Sequence, residues 1–436
     1  MQIGKGEWDN ILFDFQGYLP AFRADRRAPQ TPRPDYKGMM DLERRIIALA
    51  DAGKVGSLRQ VLALAQALSS PGGSTVEGYW VHAPSTSSPT SVASRVAAAL
   101  PTRFWRPDRG LPSLGFEGVD DGHCKTLSCL ASIAAAGHQP SVIVSSGRRA
   151  AGASVALAAE CATDAPPPKR VHVLDPWRPW QDFDGVVIPD HDFATAEARR
   201  SAVLAHGGRL VTMAGALVDP GLVGESNAAE GARRRAMLEP LLGPSAGGGG
   251  DRLVGVLVGG GMGPDGAAAV GRSVLRLVGG EARVVVAASR RTTLDEYHAL
   301  VDAVSTTARG ALAYHPALAS IPNPYEPLLG FGVCDALVVT ADSVSMAAEA
   351  ASSGTPLLIA RERRRRSGGS GGGGGRAKID RFLGNLERRG LAADLDEALA
   401  TGRGLDGVSS WWGEADRQPL METGRVAAVL AKQLWG

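Results

Sequence analysis

The 436-residue sequence predicts an α/β protein of two doubly wound domains facing a cleft. Three observations carry that prediction. Short apolar runs alternate with helical patterns in both halves of the chain, the order expected of parallel β-α-β units. The stretch GPSAGGGG at 243–250 interrupts the periodic pattern between the halves. The segment VVTADSVSMAAEAASSGTPLLI, Val338–Ile359, reads as a buried strand, a polar turn, a helix of small residues, a Gly-Thr-Pro turn and a second buried strand.

Size and composition bound the rest. A chain this long exceeds one ordinary core, and a hydrophobic content of 44% is ample for burying two. The formal charge of +2 demands neither a nucleic acid nor a membrane surface, and no nucleic-acid partner is expected. Cys124, Cys129, Cys161 and Cys334 show no C-x-x-C spacing, which fits free thiols in a reducing compartment. No segment approaches the roughly 18 consecutive apolar residues of a membrane span. The first residues lack a signal-peptide core and carry Glu7, Asp9, Asp14 and Asp25, so a cytoplasmic, non-transmembrane protein is expected.

In chain order, residues 1–39 are Pro- and Arg-bearing and read as an extended arm, 40–242 as the first domain, 243–251 as a linker and 252–436 as the second domain. The first domain is expected to open with a helix near Leu42–Leu49, a Gly turn at Asp51–Gly56 and a helix carrying Val61, Leu62, Leu64 and Leu68. Tyr79–Ala83 reads as a short strand and Pro101–Lys125 as a long surface loop. Strands follow at Ser141–Val144, Val171–Leu174, Gly185–Ile188 and Arg209–Thr212, with a small-residue helix at Ala150–Ala159. The second domain alternates strand Leu253–Val258, helix Ala267–Leu277, strand Arg283–Ala287, helix Leu294–Val304, and strands at Ala336–Val339 and Pro356–Ile359. An amphipathic helix at Gly424–Leu434 closes the chain. The insert RERRRRSGGSGGGGGRAK, Arg361–Lys378, has a Gly run that cannot bury a core. Arg361 and Arg363–Arg366 at its start suit phosphates or an anionic lipid surface, and a solvated insertion is the plainer alternative.

Ligands of doubly wound sheets sit beyond the carboxyl ends of the strands, over helix N-termini. Thr340, Asp342, Ser343 and Ser345 occupy that place, with Glu349 about two turns on, where a ribose or sugar hydroxyl is within reach. The alternative is that Asp342 or Ser343 only caps the helix and Glu349 is solvated. After strand Leu253–Val258 comes a G-x-G-x-x-G pattern at Gly261, Gly263 and Gly266. The next strand ends in Ser289, Arg290 and Arg291 with no acid to grip a ribose diol, which disfavours NAD and leaves NADP a lesser alternative. A loop whose N–H groups and arginines receive a diphosphate fits better, against the bland reading of a tight turn beside surface arginines. SSGRRAAGAS offers a parallel pair in the first domain, with Gly147, Arg148 and Arg149 at a strand end. Asp190, His191 and Asp192 suit either a cation bridging a diphosphate or, more simply, a polar turn, and no metal site is assigned. Zinc-protease, esterase-elbow and Walker A patterns are absent from the sequence.

Several segments in order carry a resemblance: DAGKVGSLRQVLALAQAL from Asp51, SVIVSSGRRAAGAS from Ser141, VHVLDPWRPWQDFDGVVIPDHD from Val171, VVVAASRRT from Val284, NPYEPLLGFGVCDALVVTADSVSM from Asn323, and GTPLLI after it. With them the chain resembles the elongated-mitochondria family of fission factors, which is itself similar to GT-B glycosyltransferases. The resemblance implies two Rossmann-like domains in a GT-B-like plan. It also implies recruitment of a dynamin-related GTPase, and a cytoplasmic protein held peripherally at the mitochondrial outer membrane. It further implies a nucleotide-sugar-like site at Ser289, Arg290, Arg291, Asp342, Ser343, Ser345 and Glu349. The chain departs from the family pattern in its loop Gly259–Gly266, in its Arg/Gly insert and in the long loop before Lys125. The rival expectation is a metal-independent glycosyltransferase using a nucleotide-diphosphate sugar, the one cofactor-like ligand in view. There Arg290 and Arg291 neutralise the diphosphate, Glu349 holds the ribose or sugar, and Gly53 to Ser57 approaches the acceptor. No catalytic residue is assigned on either reading.

Overall fold

The computed structural model describes residues 44–52, 54–69, 74–81, 116–118, 126–127, 140–161, 166–223, 228–242, 252–280, 282–305, 311–318, 321–361, 373–413 and 419–436. The expected arm 1–39, the expected linker 243–251, Gly53 and residues 362–372 of the insert lie outside the described residues. Contacts divide the chain into two compact units, Met1–Val186 and Val187–Gly436.

The first finding is a correction. Where a helix was expected near Leu42–Leu49, the chain forms strand β1 (Arg45–Asp51), buried at all seven positions. β1 lies between β2 (Thr75–Val81) and β5 (Val142–Ser146) and is parallel to both. A short run buried on both faces carries no period that separates strand from helix. Arg45 is only 4% exposed because its guanidinium forks onto Glu77 at 2.6 and 2.9 Å. The sheet also contains β3 (Phe116–Gly118), β4 (Thr126–Leu127), β6 (Lys169–Val173), β7 (Gly185–Pro189) and β8 (Leu210–Met213), in the order β4-β3-β2-β1-β5-β6-β7-β8. The β2–β3 and β3–β4 pairs are antiparallel. Helix α1 (Val55–Leu68) follows β1, and α2 (Arg148–Glu160) follows β5. Ala150, Ala153 and Leu157 of α2 pack on Ile47, Leu49 and Ile143, small side chains letting the helix lie close to the sheet.

In the second unit, helices α3 (Ala196–His206) and α4 (Ala228–Leu242) precede a six-stranded sheet. Its members are β9 (Arg252–Val258), β10 (Ala282–Ala288), β11 (Ala311–Tyr314), β12 (Ala336–Thr340), β13 (Leu357–Ala360) and β14 (Ala393–Asp394), ordered β11-β10-β9-β12-β13-β14. All its pairs are parallel. This is the doubly wound dinucleotide-fold order, reversing direction at β9. Alternate residues feed opposite cores. Leu253, Leu257, Val285, Leu337, Val339 and Ile359 face α7 (Val344–Ser352) and α8 (Gly373–Arg388). Val254, Val256, Val284, Val286, Val338 and Leu358 face α5 (Gly263–Val278), α6 (Leu294–Val304), α9 (Leu395–Ala400) and α10 (Gly404–Gly413). Both faces of the sheet are therefore dry, as its near-continuous apolar strands require. The chain ends in α11 (Glu422–Trp435), whose Glu422 accepts from Ala214 N–H at 3.0 Å. Cys161 and Cys334 are both buried. Among the described residues no helix is long and apolar enough to cross a membrane.

Candidate functional site

Because β10 and β12 flank β9 on opposite sides, the carboxyl ends of these three strands form the crevice where doubly wound sheets hold ligands. The loop leaving β9 needs glycine for two reasons. Gly261 and Gly263 have φ of 86° and 71°, the left-handed region. Gly259 and Gly260 are crowded: a Cβ at 259 would lie 1.8 Å from Asp342 Oδ2, and one at 260 would lie 2.1 Å from the Arg291 carbonyl oxygen.

The donors of this loop are already taken. Gly259 N–H donates to Thr340 Oγ1 at 2.8 Å, and Gly260 N–H to Asp342 Oδ2 at 2.8 Å. Gly261 and Gly263 both donate to Glu296 Oε1, at 2.9 and 2.7 Å. The other oxygen of Glu296 accepts Thr293 N–H at 2.8 Å, closing a capping box at the start of α6. Glu296 is 2% exposed; burial opposes its charge, but the hydrogen bonds from Thr293, Gly263 and Gly261 outweigh it and hold its pKa below the ordinary glutamate value. The cradle expected to receive a diphosphate thus holds the chain's own acceptors. Motif reading passed over Glu296, although Thr293-Leu294-Asp295-Glu296 is a capping-box pattern that marks it.

Around the loop, the structure gathers Ser289, Arg291, Thr340 and Asp342 into one hydrogen-bonded cluster. Ser289 Oγ donates to the Gly259 carbonyl at 2.8 Å. Thr340, 2% exposed, donates its hydroxyl to Asp342 Oδ1 at 2.5 Å. Arg291 Nη2 stands 3.3 Å from Asp342 Oδ2 with its side chain 60% exposed, and Arg290 beside it is exposed. Ser343 is the N-cap of α7, accepting Met346 N–H at 3.4 Å, and Ser345 sits half-buried in the first turn. Glu349 is buried rather than solvated, and its carboxylate accepts the Tyr325 hydroxyl.

The first unit repeats the pattern. Its sheet also reverses direction at β1, whose last residue, Asp51, is 3% exposed. Asp51 Oδ1 accepts the N–H groups of Arg149 and Ala150 at 2.9 and 3.0 Å, and Lys54 Nζ lies 3.3 Å from Oδ2. A carboxylate from the neighbouring strand end so fills the N-terminus of α2, the place an anionic ligand would take. Gly147 makes room for it: its φ is 104°, and a Cβ there would lie 2.5 Å from Asp51 Cγ. Arg148 points outward, its guanidinium 3.9 Å from the Trp177 ring centroid. Ser57 lies in the first turn of α1, its N–H donating to the Lys54 carbonyl at 2.9 Å.

Asp190, His191 and Asp192 form one turn of 3-10 helix with their charges paired. Arg199 reaches Asp190 at 3.0 Å, Lys378 reaches Asp192 at 3.0 Å, and Arg381 donates to the His191 carbonyl. Arg361, first of the basic run, binds Glu387 and Asp394 at 2.5 and 2.9 Å, and these bonds push its pKa up. The remaining arginines of the run lie outside the described residues.

Fold and site together define a doubly wound α/β protein whose strand-end crevices have the form of anion sites and the contents of closed ones. The family described as Mitochondrial fission ELM1 matches residues 55–434, and the chain belongs to that family. No curated protein matches it. Among solved structures it is similar to GT-B glycosyltransferases and epimerases. The UDP-GlcNAc 2-epimerase from Neisseria meningitidis bound to UDP-GlcNAc is 12% identical, with 90% of this chain and 99% of that chain covered and a TM-score of 0.49. The catalytic domain of starch synthase IV from Arabidopsis thaliana, bound to ADP and acarbose, is 12% identical, covering 90% and 100% at a TM-score of 0.44. MurG from Acinetobacter baumannii is 12% identical, covering 89% and 99% at 0.41.

Proposed function

We propose that this chain is an adaptor of mitochondrial division that holds a dynamin-related GTPase at the cytosolic face of the outer membrane, on a scaffold that has kept the form of a nucleotide-sugar site. Membership of the fission family supports the process. One observation favours adaptor over transferase: the N–H groups that would bind a diphosphate are held by Glu296 and Asp342. An entering diphosphate has to displace two carboxylates of its own sign and leave their partners to re-pair, each charge-assisted bond being worth about 1.5–3 kcal/mol. An adaptor needs no such displacement, because it acts by raising the local concentration of its partner at a surface.

The second reading, a transferase for nucleotide-diphosphate sugars, is favoured by the exposed guanidiniums of Arg290 and Arg291 at the same crevice. Two measurements separate them. The full chain is titrated calorimetrically with nucleoside diphosphates and their sugar conjugates, and is assayed for capture of the dynamin-related GTPase of the same organism. The expected result is capture without nucleotide binding, with capture kept in the Arg290→Ala, Arg291→Ala double variant. Nucleotide binding that the double variant loses, with no capture of the GTPase, overturns the adaptor.

A further inference from the structure

Trp177 stands 56% exposed in the loop that follows β6. Its φ is 55°, and that of Leu174 is 76°; they are the non-glycine residues with positive φ among the described residues. A bulky side chain in the left-handed region is disfavoured, and an indole turned to solvent gains no burial to offset the cost. The backbone N–H of Trp177 donates to Asp175 Oδ1 at 3.0 Å, closing the turn, and the Arg148 guanidinium lies over the ring at 3.9 Å from its centroid. Arg148 is the first residue of α2, whose start is clamped by buried Asp51.

The surroundings say what the stack suits. Lys54 (side chain 56% exposed), exposed Arg148 and half-buried Arg149 crowd the strand end. Asp51 is buried and occupied, and Asp175 is the exposed acid of the loop. Trp and Arg are the side chains that dominate protein–protein hot spots, and a cationic rim selects an acidic partner.

We infer that the Arg148–Trp177 stack is a docking surface for an acidic segment of the partner GTPase; this rests on the adaptor reading above. The test uses the full chain, unaltered and as Trp177→Gly and Arg148→Ala, with the immobilised GTPase as probe. Glycine accepts the φ of position 177, so Trp177→Gly keeps or raises the thermal midpoint while capture weakens by about tenfold or more. Arg148→Ala weakens capture and flattens its dependence on salt. A Trp177→Gly chain that captures the GTPase as well as the unaltered one overturns the docking surface alone. Failure of the unaltered chain to capture the GTPase overturns the adaptor reading and this surface with it. Loss of binding to phosphatidylcholine–phosphatidylserine vesicles in Trp177→Gly, with GTPase capture intact, also overturns it, the occupant then being a bilayer.

Discussion

Glu296 spends both oxygens on backbone donors, two in the glycine loop and one at its own helix start. Replacing it with Ala leaves Gly261 and Gly263 N–H without their acceptor and removes half of the capping box. Losing the charge-assisted hydrogen bonds and the cap together costs roughly 2–4 kcal/mol, to be read from the denaturant midpoint. Glu296→Gln keeps one acceptor oxygen but loses the charge and turns the other acceptor into an NH2 donor, so its loss falls between that of the unaltered chain and that of Glu296→Ala. The pH sign follows from the lowered pKa: this stabilisation is present above the ordinary glutamate range and is lost as pH falls through the lower folded value. An unchanged midpoint in Glu296→Ala defeats this account of the loop. At this scale the sequence revealed the cations and the Ser343 cap, because Arg-Arg pairs and Ser-x-x patterns are local. It did not reveal what their partners do. Asp51 and Arg149 are 98 positions apart, and only the sheet order brings them together.

At the scale of elements, the loop between β9 and α5 separates two kinds of glycine. Gly259 lies against Asp342 and cannot gain a Cβ without moving that carboxylate, whereas Gly263 has open space and needs glycine for its φ alone. Gly259→Ala is therefore expected to cost more than the roughly 1 kcal/mol typical of a strained φ, and to release Arg291 from Asp342. Gly263→Ala is expected to cost about that 1 kcal/mol and leave the cluster in place. Comparing the two unfolding midpoints checks the order, and equal losses defeat the crowding argument. Strands β9, β10, β12 and β13 were legible as continuous apolar runs bounded by turns. β3 lies inside Pro101–Lys125, which was expected as a surface loop, and β11 stands where no strand was expected; β1 shows why such reading fails, because RIIALAD mixes helix-forming Leu and Ala with Ile and its burial comes from neighbours that the run itself does not name.

At the scale of the whole molecule, each compact unit buries a histidine in its neutral form. His172 in the first unit is fully buried beside Ser145, its Nδ1 2.8 Å from the hydroxyl, and burial drives its pKa down to about 3. His191 in the second is lowered to about 4, chiefly by burial, with Lys378 and Arg381 adding to the fall and Asp192 opposing it. Between these values and the ordinary 6.5, the unfolded chain binds protons that the folded chain does not. Their share of stability is whole above the ordinary histidine value and drains away as pH falls below it. Going from about pH 7.5 to about pH 5.5 removes about 1.4 kcal/mol for each histidine. Asp190, whose pKa burial raises, works in the opposite sense, so the comparison has to be made between variants. His172→Asn keeps an acceptor for Ser145 and removes the titrating group. Its denaturation midpoint should fall less over the same pH interval than that of the unaltered chain, by the share of one histidine. Equal slopes in the two proteins mean that His172 is not held neutral by the fold, and the acid sensitivity then belongs to other groups, His191 among them.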